Sequence, residues 1–346
     1  MTNFSFFYTN EFLTYDFSGI HPLKPIRLKL TYDTMKVKSI LKEFEVLEPE
    51  RATDTDLLEV HTSDYIRAVK KAENGIPDFQ YGLGTSDNPL FPQMYSASLI
   101  YTGASISAAK HLYEKDMTVN ISGGLHHAHP AEAAGFCIFN DVALAIVTLL
   151  KKYERVAYID IDAHHGDGVQ EIFYRTNRVL TISFHESGQF LFPGTGFPDE
   201  IGEGEGKGYS VNVPLYPYTA DDVYIESFTE VVPPLIRAFN PDIVVAQIGA
   251  DSNVNDPLSD LRLSIRGYLK LIEIIREVHP KRLVLGGGGY SLEVVPKAWS
   301  MALAVFAGRN IDIPFEQSYT TSQTGRDYAQ LMIKEMKSRV YPILGI

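Results

Sequence analysis

Tyr158-Ile159-Asp160-Ile161-Asp162-Ala163-His164-His165-Gly166-Asp167-Gly168 reads as a strand that runs into a cluster of acids and imidazoles. The apolar run 156–161 has the character of a buried parallel strand, and strand side chains alternate faces, so Asp160, Asp162 and His164 project to one side. An ionised carboxylate at the end of such a strand is costly unless it is paired or bound to metal. One imidazole with carboxylate oxygens suits zinc or another borderline divalent ion, and a catalytic site would add a third protein ligand while leaving a position open. The plainer alternative is a strand-end Asp that caps the next helix beside a solvated His, and the clustering of the groups weighs against it.

Around this stretch the chain keeps a strand-then-helix rhythm. Strands are predicted over 118–122, 156–161, 179–184, 243–248 and 282–285, and helices over 142–151, 222–239, 263–278 and 292–307. Such alternation implies a parallel sheet covered on both faces, with its sites at the carboxyl ends of the strands.

Each chemically loaded motif falls at such an end. After 118–122 comes Gly123-Gly124-Leu125-His126-His127-Ala128-His129-Pro130, whose paired imidazoles Asp160 and Asp167 are available to orient for proton transfer; His129 reads as structural. The following Gly135-Phe136-Cys137-Ile138-Phe139-Asn140-Asp141 reads as core by composition, with Phe136 a channel wall only by context. Strand 243–248 ends in Gly249-Ala250-Asp251-Ser252-Asn253, which supplies a carboxylate where a third ligand is needed. Strand 282–285 ends in Gly286-Gly287-Gly288-Gly289-Tyr290; the spaced glycine pattern of a dinucleotide site is absent, so the glycines are read as letting the Tyr290 phenol reach a developing oxyanion.

The amino-terminal third reads as mostly helical, with an aromatic, irregular start, a surface turn at His21-Pro22-Leu23-Lys24-Pro25, helical character over 27–43, and an N-cap at Thr62-Ser63-Asp64 before a helix over 65–73. Residues 74–92 form a long polar connection suited to a rim loop, 94–114 a long helix, and the glycine-rich 202–208 a mobile loop. No linker is evident, the tail from Ile311 included.

Composition narrows the function. With 45% hydrophobic and 21% charged residues the chain is ordinary for a globular protein, and its formal net charge of -12 argues against a nucleic-acid binder while suiting cationic partners such as lysine-rich segments or polyamines. The single Cys137 excludes an internal disulfide and fits a reducing compartment, so a cytoplasmic protein is expected. Neither a secretory signal over 1–8 nor an apolar run of the ~20 residues a membrane helix needs is present in the sequence.

Together these motifs, in this order from His21-Pro22 to Tyr290, are similar to those of the histone deacetylase superfamily, and in particular resemble the bacterial and archaeal acetoin-utilisation-type deacetylases; residues 82–92 fit the same pattern. The resemblance implies one α/β domain over 1–346 with the arginase/deacetylase-like fold, a central, mainly parallel sheet of about eight strands flanked by helices. It implies Asp162, His164 and Asp251 as ligands of Zn2+ or Fe2+. His127 would be general base and acid with His126 its electrostatic companion, Asp160 orienting His126 and Asp167 orienting His127, and Tyr290 polarising the scissile carbonyl. Phe136 and Phe192 would sandwich an acyl-lysine stem, Gly135 would give it room, Asp87 would hold the substrate backbone at the rim, Leu258 and Gly288 would line the substrate's path, and Arg27 would lie near an internal acetate exit. Structural K+ is implied near the backbone of 160–164 with Ser183 and Phe184, and a second monovalent site around Phe173, Thr176, Val179 and Tyr209. Gly166 and Asn253 stand where arginases place further Asp ligands, which points to a single catalytic metal.

The activity implied is hydrolytic removal of acetyl or other acyl groups from lysine in an acetylated protein or peptide, with acetate released. An acetylpolyamine amidohydrolase shares the machinery, but its acidic gatekeeper is replaced here by Leu258 in Asp256-Pro257-Leu258, which favours acyl-lysine. A catalytically dead scaffold would have lost a ligand, a proton-transfer His or Tyr290, and none is lost. No membrane partner is expected, and nothing in the sequence fixes the oligomeric state.

Overall fold

The apolar runs 156–159, 243–246 and 283–285, without polar alternation, form strands covered on both faces. The computed structural model describes residues 2–313 and 317–346. In chain order the strands are β1 Phe4–Phe7, β2 Glu45–Leu47, β3 Met117–Asn120, β4 Val156–Asp160, β5 Val179–Glu186, β6 Ser210–Leu215, β7 Ile243–Gln247 and β8 Arg282–Leu285. They make one eight-stranded sheet in the order β2-β1-β3-β8-β7-β4-β5-β6, every pairing parallel. The helices are α1 Ile26–Val37, α2 Asp54–Leu57, α3 Ser63–Ala72, α4 Met94–His111, α5 Asp141–Leu150, α6 Asp167–Phe173, α7 Asp221–Phe239, α8 Ile265–Val278, α9 Val295–Phe306 and α10 Gln323–Leu344. Helices α4, α5 and α6 pack in succession, as do α1, α9, α8, α7 and α10, and these two layers cover the sheet.

Strand order explains where the site lies. The central four strands are β3, β8, β7 and β4, and their last residues align in register: Asn120 opposite Leu285, Leu285 opposite Gln247, Gln247 opposite Asp160. The chain leaves β3 for β4 but later fills the gap between them with β7 and β8, which opens a crevice at their carboxyl ends. The loops that follow these four strands carry His126, His127, Asp162, His164, Asp251 and Tyr290.

The helix ends are set by local chemistry. Asn140 caps α5 by accepting the Ala143 amide at 2.9 Å, Ser264 caps α8 by accepting the Gly267 amide at 3.0 Å, and Thr62 caps α3 as its sequence predicts.

Several expectations are corrected. The aromatic start is not irregular: β1 lies inside the sheet between β2 and β3, and Phe6 and Phe7 are buried. The helix expected over 27–43 stops at Val37, and a left-handed Ser39 turns the chain into a short 3-10 turn and then β2. Strand β6 escaped the pattern because Pro214 interrupts it, which an edge strand tolerates. Residues 202–208 are tied down rather than loose, since the Glu203 amide donates to Tyr174 O at 2.9 Å and the Gly208 amide to Ile201 O at 2.6 Å. The sequence pattern predicts none of α2, α6 and α10.

Phe6 is fully buried and its ring packs against Tyr8, Tyr32 and Phe44. Replacing it by alanine is expected to cost about 3–5 kcal/mol. A clear fall in the midpoint of thermal unfolding followed by circular dichroism checks this, and an unchanged midpoint would contradict the placement of β1 in the core.

Candidate active site

Three ligand-type side chains converge just beyond β4 and β7. Asp162, His164 and Asp251 are buried, and one donor atom of each lies within 4.8 Å of the others. His164 Nδ1 is 3.2 Å from Asp162 Oδ1 and 3.0 Å from Asp251 Oδ2. Burial and the charge of Asp162 push Asp251 up to about 7. Burial of the His164 imidazole is outweighed by its hydrogen bonds to Asp162 and Asp251, which raise it to about 10. Two buried carboxylates around one imidazole demand positive charge, and that donor set fits a divalent cation.

Backbone amides hold the carboxylates in place. Asp162 Oδ2 accepts the Gly288 amide at 2.6 Å, Asp162 Oδ1 accepts the His164 amide at 3.1 Å, and Asp251 Oδ1 accepts the Ala163 amide at 2.8 Å. Gly166 stands close to this shell, and a Cβ there would lie 2.7 Å from Asp160 Oδ2. Asn253 is spent on the Leu263 carbonyl and the Asn255 amide.

Beside the cluster, His126 and His127 face each other with their Nε2 atoms 3.0 Å apart. At that spacing only one proton fits between the rings, so they cannot both carry a proton on Nε2. Asp160 Oδ2 lies 2.7 Å from His126 Nδ1, and Asp167 Oδ1 lies 2.7 Å from His127 Nδ1. Burial pushes the His126 imidazole down, but Asp160 and Asp162 outweigh it and raise it to about 9. His127 goes the other way: burial and the neighbouring His126 charge lower it against the pull of Asp167. The pair therefore divides into a charged ring and a neutral one, with the His126 Nε2–H donating to the His127 Nε2 lone pair.

The loop bearing these imidazoles is pinned from beneath. Asp141, at the start of α5, accepts the amides of Gly124 and Leu125, the latter at 2.8 Å. Gly135, with φ +51, passes so close that a Cβ would sit 2.2 Å from His127 Cδ2.

Tyr290 completes the cleft. Burial, then Asp251 and Asp162, hold its phenol well above the usual tyrosine range, so it is a proton donor at neutral pH. Its ring meets Phe136 edge-on with centroids 5.9 Å apart, and Phe192 meets the His127 ring at 5.0 Å from the other side. Half-exposed Phe192 and half-buried Leu258 sit toward the outside. Arg27, Leu23 and Leu125 line both this cleft and an apolar cavity that runs behind it among Phe12, Tyr15 and Tyr101.

Other predicted residues fall elsewhere. Asp87 spends one oxygen on the Gly135 amide at 2.6 Å, so at present it braces the cleft wall. His21 is not in a surface turn: it is buried, and its ring packs against Phe136 with centroids 4.5 Å apart. Ser183 lies beside Asp160 in register, with its hydroxyl 2.8 Å from His185 Nδ1. Phe173 and Thr176 end α6 and its turn, Val179 opens β5, and the Tyr209 carbonyl takes the Thr181 amide at 2.9 Å. The His129 imidazole approaches Asp167 Oδ2 at 3.4 Å and bonds Glu171, and these two partners raise it to about 10.

Sequence reasoning passed over Tyr158 and Gln247, which meet at 3.0 Å beneath Asp160 and Asp162. A polar Gln in the apolar run 243–248 was the available signal.

With this geometry in place the comparisons with known proteins are decisive. Residues 21–306 match the histone deacetylase domain. The chain belongs to the histone deacetylase family. Within that family it is 42% identical over 311 residues to the acetoin utilization protein AcuC of Bacillus subtilis (strain 168), covering 85% of this chain and 80% of that one. It is 38% identical over 320 residues to type-1 histone deacetylase 1 of Dictyostelium discoideum, covering 90% of this chain and 64% of that one. A crystal structure of a deacetylase homologue complexed with SAHA superposes with a TM-score of 0.84 at 33% identity, covering 95% of this chain and 88% of that chain. The eight-stranded parallel sheet and its flanking helices are thus this family's fold, as the sequence implied. Among the described residues, no helix is long and apolar enough to cross a membrane.

Gly288 stands close to the Asp162, His164, Asp251 donor set. A Cβ on Gly288 would lie 2.0 Å from Asp251 Oδ2. Gly288→Ala, which alters no ligand, is expected to weaken Zn2+ binding roughly ten- to a hundredfold, as when a ligand's supporting contacts are lost. Competition with a chromogenic chelator measures it.

Proposed function

We propose that this family member is a metal-dependent lysine deacylase acting on acetylated proteins or peptides, built as one catalytic domain over 1–346 and working in the cytoplasm. The observation that carries the reading is the meeting, in one cleft, of His127 held by Asp167, the Tyr290 phenol and the Asp162, His164, Asp251 donor set.

The roles follow from the atoms. Asp162, His164 and Asp251 would hold the ion, zinc being the first choice for this donor set and Fe2+ the second. Such an ion supplies Lewis acidity toward a carbonyl oxygen and acidifies water. Tyr290 donates its phenolic proton in a hydrogen bond to the amide oxygen as negative charge develops there. His127 would accept a proton from the attacking water at Nε2 once the 3.0 Å contact with His126 has opened, and return it to the departing lysine amine. His126, charged and backed by Asp160, disfavours early protonation of its neighbour; Asp160 and Asp167 fix the two ring orientations. Phe136 and Phe192 would flank an aliphatic stem, Gly135 and Gly288 leave it space, and Asp87 stands at the rim. The apolar cavity behind Arg27 would receive acetate, whose charge matches the buried guanidinium. K+ at the sites near Ser183 and around Phe173, Thr176, Val179 and Tyr209 belongs to the same reading.

Leu258 favours acyl-lysine over acetylpolyamine, because an apolar side chain at the mouth offers nothing to a distant ammonium. Amine release from an acetyl-lysine peptide, run beside acetylputrescine and acetylspermidine with zinc-loaded protein, is the test. Peptide turnover is expected, falling about 10²–10³-fold in Tyr290→Phe and abolished together with metal binding in Asp162→Asn. Turnover confined to the polyamines would instead assign the protein to acetylpolyamine hydrolysis.

A further inference from the structure

The peptide unit joining Gly289 to Tyr290 is held at both ends by buried ionisable side chains. The Gly289 carbonyl accepts from Arg27 Nη1 at 2.7 Å, and the Tyr290 amide donates to Asp256 Oδ2 at 2.6 Å. Arg27 is 6% exposed and Asp256 7%, so neither bond competes with bulk water. In a trans peptide the carbonyl and the amide point in opposite directions, and the two side chains therefore fix the plane of this unit from opposite sides. Hydrogen bonds to ionised groups are shorter and stronger than neutral ones.

This plane needs fixing because the chain before it has no side chains to wedge. Gly287 and Gly289 have φ of +112 and +128, conformations open to glycine, and a glycine run resists reorientation only through its hydrogen bonds. The direction of the Tyr290 Cα–Cβ bond, and so the reach of its phenol, follows from the plane that Asp256 grips. Asp256 also accepts the Ser291 amide at 3.3 Å with the same oxygen and the Leu258 amide at 3.0 Å with the other. Its own amide donates to the Asn253 carbonyl at 2.8 Å, which seats it on the loop after β7. One carboxylate thus ties the loop after β7, which carries Leu258, to the loop after β8, which carries Tyr290.

We infer that Asp256 is a positioning residue for the reaction: it sets Tyr290 toward the reacting carbonyl and couples that setting to the Leu258 segment. The inference rests on the hydrolase reading above. An interaction that acts through Tyr290 matters when charge develops on the carbonyl oxygen, so its loss lowers kcat and leaves KM nearly alone.

Asp256→Asn keeps one acceptor oxygen and removes the other together with the charge. In zinc-loaded protein it is expected to retain metal stoichiometry and to lose about ten- to a hundredfold in kcat, the scale of a small misplacement of a reacting group. In a Tyr290→Phe background the same substitution should cost less than about twofold, because the phenol through which it acts is gone. Equal losses in both backgrounds, or a raised KM with kcat unchanged, would overturn the inference. If Asp256→Asn does not fold, replacing Tyr290 by its α-hydroxy analogue removes only the amide proton and must give the same loss of kcat. A wild type without turnover would sink the hydrolase reading, and the positioning role is then decided by fluorine NMR of 3-fluorotyrosine at position 290. One narrow line in the wild type that broadens or splits in Asp256→Asn supports it, and identical spectra refute it.

Discussion

Two carboxylates crowded beside one imidazole, out of reach of bulk water, are the constraint around which the rest of the molecule is arranged. Asp162 and Asp251 are stable there because rigid backbone dipoles meet their oxygens: amides of Gly288, His164 and Ala163. Those amides belong to loops after β8 and β4, so satisfying the charge also fastens the strand-end loops to one another. A central sheet of buried strands supplies the stiffness this needs, and the alignment of Asn120, Leu285, Gln247 and Asp160 brings the loops to one level.

The two imidazoles above this cluster differ in what stands behind them. Asp160 is wholly buried and is itself held by the Tyr158 hydroxyl at 2.6 Å, so the His126 charge is compensated deep inside the protein. Asp167 opens α6 and reaches outward, to the His129 imidazole and through it to Glu171. The His126 ring is thus backed by the core, and the His127 ring by a chain of groups leading to the surface.

Much of the site was legible because its chemistry is written at strand ends. Apolar runs 156–161, 243–248 and 282–285 each stop in acids, imidazoles or glycines, and a parallel sheet gathers such ends without further information. Where local pattern was weak the reading failed. β1 is four residues long in an aromatic setting, β2 is three residues long with exposed side chains, and β6 carries a proline, so none shows the apolar run that marks a buried strand. Partners distant in sequence were equally hidden. Nothing about Asp256 announces the Tyr290 amide, 34 residues on, and nothing about His21 announces Phe136; those contacts exist only once the loops have been gathered. His129, read as structural, pairs with Glu171 42 residues on, a partner its place in the sequence does not show.

The cleft floor is built largely from missing side chains. A Cβ at Gly135, Gly166, Gly287 or Gly288 would approach His127, Asp160, Asp162 or Asp251 within 2.0–2.9 Å. Genetic drift therefore has little purchase on these positions, since the smallest change available to each already collides with the machinery. Phe192 is different: it meets the His127 ring yet is half-exposed, so a change of size there can yield into solvent.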